Sequence, residues 1–327
     1  AVSLSRGAFT YTLTNTLFHQ VIIVRKRPPL SFPQLLVCIS LLCALTGALT
    51  LVASHTSPDR RFEQFTSQLF QEEMTGSTLN MHYTIADPKT FGISEYEPVL
   101  PIYHSDQPED SKEHCSDLLH RLDRIDPDRL SPENAYTYRL LHRSLENDLA
   151  LADFPYYNEP LSPSSGMQSQ LPVLLAEYTF RTKRDVTDYL ALLDQIDDYF
   201  ASLLLYEQEK AAAGFFMPAC SSEKVRKQCD TIVTTEELAQ GTHFLQTTFE
   251  DRLSELQKQG LFTPEETASL IETNDRLLAT VVQPAYAALS EGLHSLETST
   301  NADSTASETT TNAASGKNNS AHNGLPK

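Results

Sequence analysis

The residues that follow the ten histidines are Gln20, Thr56, Tyr83, Ser105, Cys115, Arg121, Arg143, Phe244, Ser295 and Asn323. None is glutamate. A His-Glu-x-x-His helix places two histidines one turn apart on zinc, with a glutamate between them to activate water. That helix cannot form in this chain. The nearest thing to a metal cluster is Glu113, His114 and His120, but positions 114 and 120 face different sides of a helix, so this group reads as a solvated face. His82-Tyr83 could line a substrate channel, or His82 could be a packed loop histidine. Arg181, Lys183 and Arg184 could bind a carboxylate, or mark the solvated start of a helix. Cys220 and Cys229 are candidates for a disulfide if the body is exported. The alternative is two free thiols, since Cys115 leaves their number odd. Gly-x-Ser-x-Gly, P-loop and Gly-x-Gly-x-x-Gly motifs do not occur, which excludes serine-hydrolase and nucleotide-binding readings built on them. The spacings assign no catalytic, cofactor-binding or metal residue within this chain.

The elements that must hold these residues read as helical. Trp is absent, and glycine is scarce at 11 of 327 residues. Phe62, Phe65, Leu69 and Phe70 mark a first helix ending near Gly76. Leu118, Leu119, Leu122 and Ile125 mark a second, stopped at Asp126-Pro127. Ser131-Pro132 is an N-cap with proline at the first helical position, and Tyr138, Leu141, Leu145 and Leu149 carry that helix to about Asp153. Residues 154–172, rich in Pro, Ser, Tyr and Asn, read as irregular. One long helix is expected from about Asp185 to Ala213, closed by Gly214. Thr263-Pro264-Glu265-Glu266 is a capping box opening a further helix, which Pro284 should kink. The fold class is all-α, an extended helical array or bundle. It carries an N-terminal transmembrane or signal helix and a disordered C-terminal segment.

Leu35 to Ala53 is a run without a charged residue, long enough to span a hydrocarbon core of about 30 Å. Arg25-Lys26-Arg27 precedes it, so the positive-inside rule keeps the N-terminus cytoplasmic and sends the body outward. The body is then membrane-anchored, or secreted if a peptidase cuts near Ser54. The expected domains are a cytoplasmic segment over 1–34 (with 1–24 unassigned), the anchor or signal helix over 35–54, an extracytoplasmic helical domain over 59–297, and a Ser/Thr/Asn-rich segment over 298–327. That last segment lacks the apolar side chains needed to offset ordering entropy. The formal net charge is −18. All of it lies after residue 57, and so acidic a surface repels phosphate backbones, which argues against nucleic acid as a partner. The first Met is Met74, and the chain is read as one part of a longer coding sequence.

Several blocks in order carry a resemblance. They are Leu79 to Pro88 with Phe91-Gly92-Ile93, then Tyr157 to Pro172 with Pro160, Gly166, Gln168, Leu171 and Pro172. Arg184 to Leu190 follows, through Gly214, Met217-Pro218, Val225 and Gln228, and then Val282 to Tyr286 and Gly324-Leu325-Pro326. Together they resemble the bacterial family called domain of unknown function 885, over its N-terminal half. The resemblance implies a helical, His-Glu-x-x-His metallopeptidase-like parent with zinc as its cofactor and a peptide as its substrate. Every zinc residue would lie beyond Lys327, so no cofactor is expected in this chain, and residues 298–323 would be an insertion. It also makes His82, Tyr83, Gly166 and Gln168 candidate cleft-lining residues. Two further readings remain: a non-catalytic extracytoplasmic helical binding or scaffold module, and a nonfunctional fragment.

Overall fold

A computed structural model describes residues 57–103 and 108–315. The chain divides into two units, Ala1–Arg60 and Arg61–Lys327, and only residues 57–60 of the first are described. The expected span Leu35–Ala53 therefore lies outside the described residues. Among the described residues no helix is long and apolar enough to cross a membrane, and every regular element is helical.

The first two helices are α1, Pro58–Thr75, and α2, Thr78–Thr84. Ser77 caps α2 by accepting from the Asn80 amide. A 3-10 turn at Pro88–Phe91 ends in Gly92 with φ 79. Helix α3, Pro108–Asp123, and α4, Pro132–Leu151, pack on each other. Ser131 caps α4 through the Asn134 amide, with Pro132 where a missing N–H costs nothing. A separate apolar cluster of Phe62, Phe65, Leu118, Leu122, Tyr138 and Leu145 joins α1, α3 and α4.

Helix α5, Met167–Ala176, occupies the second part of the stretch expected to be irregular. Pro172 lies inside it and cannot donate to the Gln168 carbonyl four residues back. The Tyr286 hydroxyl donates to that carbonyl instead, at 2.8 Å. A partner 118 residues away thus offsets the local cost that argues against a helix here.

The single helix expected over 185–213 is two: α6, Lys183–Leu193, and α7, Ile196–Ala212. The break falls at Asp194-Gln195. The Gln195 side chain accepts from the Leu100 amide at 3.0 Å and donates to the Pro98 carbonyl at 2.9 Å. It thereby holds an incoming loop where a continuous helix would pass. Gly214, with φ 84, closes α7, and the Phe215 amide reaches back to the Lys210 carbonyl at 2.9 Å.

Then come α8, Ala219–Ile232, α9, Thr235–Gln240, α10, Phe244–Lys258, and α11, Pro264–Leu277. The Thr263–Glu266 capping box of α11 is present in both directions. A π-helical turn at Leu278–Val282 leads into α12, Gln283–Ser315. The kink expected from Pro284 takes this form. Proline blocks the bond to the carbonyl of Thr280, and the widened turn absorbs the clash.

The main core lies among α5, α6, α7, α8, α10 and α12, with Val186, Tyr189, Leu203, Val225, Phe249 and Leu293 at its centre. Burying each such side chain contributes roughly 1.5–3 kcal/mol. Helix α12 packs on α7 and α8. Gly292 lets α12 approach Leu204 of α7 so closely that a Cβ there would lie 2.3 Å from a leucine methyl.

Residues 298–315 continue α12. The physical reason is that elongating an anchored helix costs far less than nucleating one. The α12 backbone is fixed up to Glu297, whose carboxylate accepts from Arg226 Nη1 of α8 at 2.9 Å. Residues 316–327 lie outside the described residues.

Candidate functional site

A cavity of about 630 Å³ opens between two walls. One wall is α2 with the loop that follows it, through Tyr96. The other is the segment from Tyr178 to Asp185, where α6 begins. Its floor is apolar, from Met81, Ile85 and Ile93.

His82 stands at the back of this cavity and is only 8% exposed. Its ring stacks on Tyr178 with centroids 3.6 Å apart. Its Nε2 accepts from the Thr179 amide at 3.1 Å, so the ring proton belongs on Nδ1, which lies 3.9 Å from Asp185 Oδ1. Burial and the nearby Arg181 guanidinium lower its pKa to about 4, against a smaller opposing pull from Asp185. His82 is thus a neutral, engaged ring that fixes the Tyr178–Thr179 backbone.

Helix α6 positions the opposite wall. Thr182 caps it by accepting from the Asp185 amide, and Asp185 Oδ2 accepts in return from the amides of Arg181 and Thr182, at 2.8 and 2.7 Å. One turn on, the buried Asp188 accepts from the Tyr96 hydroxyl at 2.6 Å and from Arg184 Nε at 3.4 Å. The Arg184 guanidinium lies 3.8 Å over the Tyr96 ring and donates to the Tyr96 carbonyl. This clamp ties the loop wall to the helix wall. Burial, reinforced by Asp188, pushes the Tyr96 hydroxyl up to about 12, and burial raises the Asp188 carboxyl despite its two donors.

The candidate residues therefore scatter. His82 lines the cavity. Tyr83 points elsewhere, its hydroxyl donating to the Leu174 carbonyl at 2.5 Å. Gly166 and Gln168 do not line this cavity. Gln168 is fully buried and donates to the Ser162 carbonyl at 2.7 Å and to Gln228 at 2.8 Å. Gly166 is needed because a Cβ there would sit 2.3 Å from the Ser162 nitrogen. Their spacing reflects packing of the 160–168 turn against α8.

Of the basic trio, Arg181 and Arg184 line the cavity, whereas Lys183 pairs with Glu266 at 3.5 Å and lies over Phe262. Tyr96 and Tyr178 have no place in the sequence reading, and Asp188 enters it only inside the Arg184–Leu190 block. The spacing of one helical turn between Arg184 and Asp188 is the local signal for the contact that Asp188 makes.

The proposed Cys220–Cys229 bridge is contradicted. Both thiols are free, with Cys220 exposed and Cys229 buried on the same helix α8. Nine positions of helix put them about 13 Å apart along the axis, whereas a disulfide needs Cα atoms within about 7 Å. Burial pushes the Cys229 thiol up to about 12.

The donor set does not suit zinc. Among the described residues no group of three or more His, Cys, Asp or Glu is placed to hold a metal ion. His82 Nε2 is already occupied by an amide, and His114 and His120 stand on α3, away from the cavity lining.

The fold is similar to that of a candidate lipoprotein from Colwellia psychrerythraea known from its crystal structure, with a TM-score of 0.60 at 15% sequence identity. The match covers 74% of this chain and 42% of that one, so this chain spans less than half the length of that protein. No curated protein matches the sequence. The family model described as bacterial protein of unknown function (DUF885) matches residues 89–319, and the chain belongs to that family.

Proposed function

We infer that this chain is the N-terminal helical part of an exported or membrane-anchored, metallopeptidase-like protein. In that reading it walls one side of a substrate cleft, and the zinc-binding half is encoded beyond Lys327. The observation that carries it is the unequal coverage of the structural match: three quarters of this chain corresponds to well under half of a larger protein of the same fold. The order of sequence blocks, ending in Gly324-Leu325-Pro326, and the absence of a fitting donor set among the described residues support the same division of labour. The peptide substrate would enter from the partner half, with no nucleic acid involved. Leu35–Ala53 would tether the body outside the cytoplasm, or be removed near Ser54.

Two measurements test this. Reading the genomic sequence past the Lys327 codon should reveal an in-frame Gly-x-x-Tyr-Tyr followed by His-Glu-x-x-His. A stop codon at that point would overturn the peptidase reading and leave a non-catalytic scaffold module. A reporter fused after Glu297 should be active only outside the cytoplasm, and activity confined to the cytoplasm would sink the exported topology.

A further inference from the structure

Exposed apolar side chains gather where α4 and α7 end. Leu151 and the turn after it, with Phe154 and Tyr157, stand beside Phe215 on the turn after α7. Phe154 and Phe215 are each 62% exposed and Tyr157 is 72% exposed. The two turns are neighbours, because the Tyr156 ring lies 6.1 Å from the ring of Phe215 and 6.1 Å from that of Tyr206 on α7. Both turns are held firmly. The Phe154 amide donates to the Leu151 carbonyl at 2.8 Å, and the Tyr157 amide to the Phe154 carbonyl at 3.0 Å. The Tyr206 hydroxyl lies 3.0 Å from the carbonyls of Pro155 and Asn158, and Lys210 Nζ donates to the latter at 3.2 Å. Gly214, with φ 84, fixes the turn that presents Phe215. None of Leu151, Phe154, Tyr157 and Phe215 belongs to a core cluster. Aromatic side chains held in water on rigid turns lose little freedom when covered, which is the character of interface anchors.

The course of the chain points to what covers them. Helix α12 runs beside α7 in the same direction: Tyr286 meets Phe200 edge-on with ring centroids 4.7 Å apart, and further along both helices Gly292 meets Leu204. Beyond this second contact α7 runs on for about 12 Å and α12 for about 34 Å. The chain therefore leaves α12 past the same end of the fold that bears Phe215. The larger protein of this fold has more than half its length without a counterpart here. We propose that the aromatic turns after α4 and α7 are the docking surface for the polypeptide that continues past Lys327, which meets them with an apolar face. The proposal rests on the reading above that such a continuation exists, and it adds where that continuation packs.

The test is hydroxyl-radical footprinting read by mass spectrometry, which uses the native side chains and needs no variant. The 327-residue chain is compared with the protein encoded by the whole open reading frame, each in phosphatidylcholine nanodiscs. Tyr136, 59% exposed near the other end of α4, is the internal reference. In the shorter chain Phe154, Tyr157 and Phe215 should oxidise freely, as Tyr136 does. In the longer protein these three should oxidise several-fold more slowly, with Tyr136 unchanged. Unchanged rates in the longer protein, or equal slowing of Tyr136, would overturn the proposal and leave the reading of a longer protein intact. Protection already present in the shorter chain would also overturn it, in favour of a second copy if it fades on dilution and of lipid if it does not. A stop codon directly after Lys327 would remove both the proposal and the reading it rests on.

Discussion

Glu207, on α7, is fully buried, and among the described residues neither of its carboxylate oxygens has a hydrogen-bond partner. The closest candidate cation, Lys210, is spent elsewhere: its Nζ pairs with Glu159 at 2.8 Å and donates to the Asn158 carbonyl at 3.2 Å. Burial therefore raises the Glu207 carboxyl from 4.5 to about 7, against a partial pull from Lys210. The sign follows from proton binding. Between those two values the folded chain holds a proton that the unfolded chain releases. The stabilisation is thus complete below pH 4.5 and is lost as pH rises through about 7. A shift of that size corresponds to about 3 kcal/mol. Glu207→Gln keeps the shape and removes the titration. Its urea midpoint, followed by far-UV circular dichroism, should lie near the parent's at about pH 4.5 and exceed it by the equivalent of about 3 kcal/mol above pH 8. A variant that is less stable than the parent at alkaline pH, or a difference independent of pH, would refute the assignment of an unpaired buried carboxyl.

His82 should act in the opposite sense. Its pKa falls from 6.5 to about 4, so its stabilisation is complete above pH 6.5 and is lost as pH falls through about 4. In His82→Gln the acid-side loss should shrink by about 3 kcal/mol, and an unchanged acid limb in urea unfolding would count against the neutral ring. Gly166→Ala should cost about 2 kcal/mol or more, because the new Cβ meets backbone atoms of Ser162. Gly292→Ala should cost less, because the nearest atoms it meets all belong to the movable side chain of Leu204. Equal thermal shifts would contradict that distinction. In native thiol labelling followed by peptide mapping, Cys220 should react and Cys229 should stay protected, with no effect of reductant on the melting temperature. Equal reactivity would be inconsistent with a buried Cys229.

What was legible in the sequence follows the range of the interactions involved. Ser131, Thr263 and Gly214 act on amides and carbonyls within a few residues, and each cap stands where its residue type placed it. The division between α6 and α7 was not legible. The apolar stripe from Val186 to Leu204 runs on through it, and the break is made by Gln195 gripping Pro98 and Leu100 from 95 or more positions away. Helix α5 was missed for the same reason: Pro172 argues against it locally, and Tyr286 supplies the compensating donor from α12. The site repeats this division. His82 could be singled out from its own neighbourhood, but its role depends on an amide 97 positions along the chain. Gly166 and Gln168 were singled out by a pattern shared with relatives, and such patterns preserve packing as readily as binding. Arg181 was noticed only as one of a basic trio. What separates it from Lys183 and Arg184 is the absence of a side-chain partner among the described residues, while Glu266 and Asp188 take the other two. A charge left unpaired is a property of the folded arrangement, and no local spacing encodes it.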